Sequence, residues 1–239
     1  MKLIQPNCRI QFTADDLEFI VRTLNTLDKS PDYLVRLLTD ADARDMILDD
    51  DALFRALLEQ RACLRVSSHF YFYVLVRHVL RGAGIEDREV ADYIAEMLTE
   101  FASEKNTRCY VPGAAQSLDY FFELLAALRD ADDRTNFLLR AHIGNHSLFL
   151  SGVFPERIRF RAERRGFPSL TYYERMGEMN FRAARDHRLA ERYELASVFD
   201  KLSECFQPAR RALNDLSERV FAISDPDFSA LLEQKLGSQ

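Results

Sequence analysis

The chain has 239 residues, 47% of them hydrophobic and 29% charged, with a formal net charge of −6. That length suits one large helical domain or two small, intimately packed ones, and the composition is far from that of a disordered chain. Only 8 glycines and 7 prolines are present, too few for a sandwich or barrel, and the acidic balance makes no global electrostatic case for a nucleic-acid partner.

Residues 1–12 read as extended or irregular. Thr13 is an N-cap with Asp15 and Asp16 in the first turn, and Leu17, Ile20, Val21, Leu24 and Leu27 follow at helical spacing. Ser30-Pro31 opens a short helix through Leu38. The acidic run Asp40 to Asp51 predicts short helices or turns. Leu53, Phe54, Leu57 and Leu58 mark a helix from Asp51 to about Arg61.

The segment from Ser67 to Arg81 is aromatic and β-branched, so propensity alone allows a strand. Its length, the Ser67/Ser68 cap and the glycines at positions 82 and 84 predict a helix instead. A helix apolar nearly all round belongs in the middle of a bundle, so this one is expected at the centre. Its most apolar stretch, Phe70 to Val76, is seven residues long, whereas a membrane span needs roughly 20.

Asp87 begins the next helix, with Val90, Tyr93, Ile94, Met97, Leu98 and Phe101 on one face. The stretch 104–114 is the clearest loop. It leaves a single domain over 1–239 with a potential subdivision into 1–104 and 114–239 across residues 105–113. Helices are then expected from about Gln116 to Asp130 and from about Asp133 to Ser151, with a break at Pro155. Thr171 and Glu174 have capping-box spacing, and a long helical stretch should run from Tyr172 to Phe206, interrupted near His187. Pro208 starts a helix to about Ala222, and Asp225-Pro226 restarts a short one. The expected fold is therefore an all-α, multi-helix, orthogonal or bundle-like domain of about ten helices around the central helix 67–81.

Three groups of residues can carry chemistry. His142 and His146 stand four apart, so both imidazoles share a helix face and can reach one metal or haem-type ligand. The plainer reading is two histidines hydrogen-bonded at helix contacts. His187, Glu191 and Glu194 follow i, i+4, i+7 spacing and are metal-ligand types, although a solvated face explains them as simply. Neither group is a zincin motif, and no histidine has an acid three residues before it, as a di-iron bundle requires.

The third group is basic. Arg157, Arg159, Arg161, Arg164 and Arg165 stand against Glu156 and Glu163, and Arg175, Arg182, Arg185, Arg188 and Arg192 continue the trend. Such a region can hold an anion or an acidic partner, including the Asp40–Asp51 stretch of a second copy. Hydrolase, Walker and dinucleotide signatures are missing. Cys8, Cys63, Cys109 and Cys205 are scattered, as expected of reduced thiols in a cytoplasmic protein, and the start MKLIQPNCRIQF lacks a signal-peptide run.

The stretch GNHSLFLSGVFPERI (Gly144 to Ile158) and Tyr-Tyr-Glu-Arg-Met-Gly at 172–177 resemble bacterial all-helical proteins of uncharacterised function over the C-terminal 100 residues or so. The resemblance implies no activity. The leading expectation is a non-enzymatic, cytosolic interaction or regulatory module, a homodimer, with no nucleic-acid or membrane partner. The alternative is a metal- or haem-type-cofactor protein or oxygenase-like enzyme using His142 and His146, with His187 or Glu191. Either way, function is expected between His142 and Glu194.

Overall fold

The computed structural model describes residues 2–25, 39–59, 65–102, 121–165 and 168–223. Among them are twelve α-helices, one 3-10 turn (Arg9–Gln11) and no strand. The expectations for 30–38, for the 105–113 boundary, for Cys63 and Cys109 and for the helix after Pro226 lie outside the described residues.

Helix α1 (Ala14–Asn25) starts at a reciprocal cap. The Asp16 amide donates to Thr13 Oγ1 while Asp16 Oδ2 accepts from the Thr13 amide. Asp16 is fully buried because it also accepts from the Ser67 amide and hydroxyl, both at 2.7 Å, so one carboxylate organises two helix starts. Asp40 caps α2 (Ala41–Leu48), and α3 (Asp51–Glu59) follows.

Helix α4 (Ser68–Gly82) is the expected central helix, with Ser67 accepting from the Phe70 amide. It packs on α3, on α5 (Arg88–Ala102), on the last long helix and on the 3-10 turn. Its aromatic run is helical because burial on several sides, rather than strand propensity, decides. Asp87 opens α5 by accepting from the Glu89 and Val90 amides.

In the second half come α6 (Phe121–Ala127), α7 (Asp133–Val153) and α8 (Pro155–Arg165), the last beginning at the proline as its first residue. The expected Thr171–Glu174 capping box is not what starts α9 (Leu170–Arg185). Ser169 caps it by accepting from the Tyr172 amide, and Glu174 instead reaches Arg210 at 2.9 Å.

The expected stretch from Tyr172 to Phe206 is interrupted at His187 as anticipated, and an unexpected second break at Glu194 makes three pieces: α9, α10 (Arg188–Arg192) and α11 (Ala196–Glu204). His187 caps α10, and the backbone then turns through Glu194 in the left-handed region at φ 57°. Helix α12 (Phe206–Ile223) starts two residues before Pro208, which sits in the first turn where a missing N–H leaves no bond unmade. No helix among the described residues is long and apolar enough to cross a membrane.

The main buried cluster runs from Ile4 to Leu216 and includes residues before and after the 103–120 stretch. A smaller cluster of Leu124, Leu139, Ile143, Ile158 and Tyr173 lies under α6, α7, α8 and α9. The most extensive helix contact is α7 on α9. Glycines allow close approaches: a Cβ on Gly144 of α7 would lie 2.7 Å from the Phe181 ring of α9, and one on Gly177 of α9 would lie 2.2 Å from the ring of Phe206, which begins α12.

Glu194 offers a test of the break between α10 and α11. It is the residue after the helix end, where Leu195 donates back to the Ala190 carbonyl at 2.8 Å and buries its own side chain. An L-residue in this conformation costs about 1 kcal/mol. Glu194→Gly should therefore raise the unfolding free energy by about 0.5–1 kcal/mol in urea titration. A lower midpoint would mean that the exposed glutamate contributes something the backbone argument omits.

Candidate functional site

Helix α7 does bring His142 and His146 together, their rings stacked with centroids 6.0 Å apart. His142 also meets the edge of Phe101, which in turn packs on Phe149. Burial, and then the neighbouring His146, pull the His142 pKa well below the ordinary imidazole value, so this ring is neutral at pH 7. The residues between them are engaged in packing. Gly144 admits Phe181, and Asn145 Oδ1 accepts from the buried Tyr93 hydroxyl at 2.9 Å. Beyond Phe149 lies a cavity of about 90 Å³ lined by Tyr71, Phe72, Leu98, Leu213 and Val220 among others, between α4, α5, α7 and α12.

His187 and Glu191 are placed differently from the expectation. His187, Glu191 and Glu194 do not share a helix face, because α10 is only five residues long and ends before Glu194. His187 Nδ1 accepts from the Leu189 amide at 3.2 Å, which leaves Nε2–H to donate to Asp133 Oδ1 at 3.0 Å. Arg188 binds the same carboxylate at 2.6 Å. These bonds pin α10 to the start of α7. Glu191 lies exposed in an open polar cleft with Arg185, Arg188, Ser197 and Asp200, where Arg185 is already paired with Asp186 and Asp200. Among the described residues, no three His, Cys, Asp or Glu side chains gather as metal ligands.

The arginines of α8 lie on a helix anchored by one side. Pro155 and Ile158 are buried, Ile158 in the smaller cluster with Tyr173, while Glu156, Arg159, Phe160, Glu163 and Arg164 are exposed. Arg157 is half-buried, and Arg161 and Arg165 belong to the same helix. Phe160 keeps 51% of its surface exposed, and the Arg164 guanidinium sits 5.1 Å from its ring centroid. Arg159 pairs within the helix with Glu156, both in solvent, where such a pair is worth little.

After its Ser169 cap, α9 exposes Tyr172, Arg175, Met179 and Arg182, which form one stripe at helical spacing. Met179 is 60% and Tyr172 37% exposed. Arg164, Arg175 and Arg182 form no ion pair among the described residues.

The sequence reading missed an ionic centre in the N-terminal half. Arg77, whose side chain is 3% exposed, is bound by Asp49 at 2.8 Å and donates to the Glu86 carbonyl. Arg88 reaches the same Asp49, and Arg81 its carbonyl. Burial raises the Asp49 pKa, but the Arg77 bond and the charges of Arg77, Arg88 and Arg81 outweigh it and hold the carboxyl below its usual range.

Nearby, three carboxylates one turn apart on α5 hold the N-terminal segment. Asp92 takes Arg9, Glu96 takes Gln11 and His69, and Glu100 takes Lys2. Burial pushes both Asp92 and Glu96 up, with Arg9 opposing the shift at Asp92 and His69 at Glu96. Cys8, wholly buried beneath, donates to the His69 carbonyl and has its thiol pKa raised by burial. The only signal in the sequence was the i, i+4, i+8 spacing of Asp92, Glu96 and Glu100.

Comparison with protein-family models, curated proteins and solved structures finds no match for this chain.

Proposed function

We propose that the protein is a non-enzymatic helical interaction module and that the outer face of α8 and α9 is its docking surface. The observation that carries this reading is the occurrence of unneutralised arginines with large exposed apolar side chains on two helices that touch each other: Arg164 beside Phe160 on α8, and Arg175 and Arg182 alternating with Tyr172 and Met179 on α9. Aromatic residues, Met and Arg are the types enriched where proteins meet. Elsewhere the charged groups that might suggest chemistry are committed to the fold. Asp49 holds Arg77, His187 holds Asp133, and Asp16 joins two helices.

The role is tested by replacing Phe160 with the photo-crosslinking residue p-benzoylphenylalanine in the cell that makes the protein. A discrete protein adduct is expected, lost when Arg164→Glu is added. The mass of the adduct also separates a homodimer, at twice the chain, from a different partner. No adduct at Phe160, or one indifferent to Arg164→Glu, sinks the proposal.

A further inference from the structure

The partner's chemistry can be read from the same face, and this step rests on the interaction role just proposed. We infer that the exposed sides of α8 and α9 receive an acidic, amphipathic segment of another protein, whose carboxylates meet Arg164, Arg175 and Arg182 while its apolar side chains cover Phe160, Tyr172 and Met179.

Charge complementarity comes first. Among the described side chains, α8 and α9 expose Arg159, Arg164, Arg175 and Arg182 against Glu156 and Glu163, within a chain whose net charge is −6. Guanidinium groups bind carboxylates with two parallel hydrogen bonds, so several on one face select an acidic surface. The exposed Phe160, Tyr172 and Met179 then require that surface to be apolar in places, as one side of an amphipathic helix is.

A second copy of the chain fits poorly as the source. Its densest acidic stretch, Asp40 to Asp51, is largely committed: Asp45 to Arg9, Asp49 to Arg77 and Arg88, Asp40 to the α2 cap and Asp51 to His78. Phosphates of a nucleic acid would satisfy the arginines but leave Met179 without a stacking role. The protein segment satisfies both halves of the face.

The test is a fluorescence-anisotropy titration of the full chain with a labelled peptide of about 20 residues, built from Glu and Leu in a helical repeat. Saturable binding is expected, and it should weaken as salt rises. The exposed-site variant R164E/R175E should raise Kd at least tenfold, Phe160→Ser several-fold, and R164K/R175K much less than the charge reversal. Circular dichroism confirms that each variant folds.

No saturable binding, binding untouched by R164E/R175E, or equal or tighter binding of a single-stranded oligothymidine overturns the inference. So does a cellular adduct of twice the chain's mass. A Phe160 adduct of another mass combined with failure of the peptide leaves the interaction role standing and removes only the partner's chemistry.

Discussion

Gly177→Ala should unfold much of the population or cost about 3 kcal/mol or more, the upper end of what overpacking a core produces. The added methyl would sit 2.2 Å from Phe206 Cε2 and 2.3 Å from its Cζ. The Phe206 ring cannot simply swing aside. It is fully buried and stands 6.2 Å from the Phe181 ring, which itself fills the space that Gly144 leaves. Relief must come from moving α9 away from α12, against cores that resist displacement. Urea unfolding measures the loss, and Gly82→Ala supplies the contrast. Gly82 is helical with nothing within 4 Å of a Cβ, so alanine there should be neutral or stabilise by up to about 1 kcal/mol. Equal midpoints for the two variants would refute the close-approach argument.

Asp49→Asn should destabilise by about 3 kcal/mol, because it leaves the Arg77 guanidinium buried without its counter-charge. Adding Arg77→Met should recover part of that loss by removing the stranded cation. The same carboxylate sets an acid limb. Its folded pKa lies below the unfolded value of about 3.9, so its contribution is complete above that pH and disappears as pH falls through the folded pKa. Asp87, held low by Lys201 and two backbone amides against burial, acts in the same direction. Asp92 and Glu96 act oppositely, since raised pKa values let the folded state keep protons that the unfolded chain has released. Stability measured against pH should therefore fall less steeply below about pH 4 in Asp49→Asn than in the parent. An unchanged acid limb would falsify the assignment of that limb to Asp49.

Much of the architecture was legible because caps and periodicity are local. Thr13, Ser67 and Asp87 announce helices that form where expected, and the apolar run 67–81 takes the central place. In the Tyr172–Phe206 stretch the interruption at His187 forms where expected, whereas nothing local signals the second break at Glu194. Its breaks come from a histidine that turns its ring back to cap α10 and from Glu194 in a conformation usually given to glycine.

The candidate site was legible only in part. The arginine cluster shows in composition, but the exposure of Arg159 and Arg164 depends on α8 being held through Pro155 and Ile158 on one side and showing Phe160 on the other. The acidic stretch 40–51 invited a reading as a free pole. Asp45 and Asp49 are instead bound by Arg9, Arg77 and Arg88, from 28 to 43 residues away.

The sequence by itself determined that the chain is helical, where most of its helices start and that its arginines concentrate beyond residue 156. These depend on side-chain periodicity and on hydrogen bonds within one turn, which neighbours along the chain supply. Tertiary structure alone decided which charges are used up inside and which face outward. Ion pairing and burial depend on distance in space, and that distance is set when helices far apart in sequence pack together.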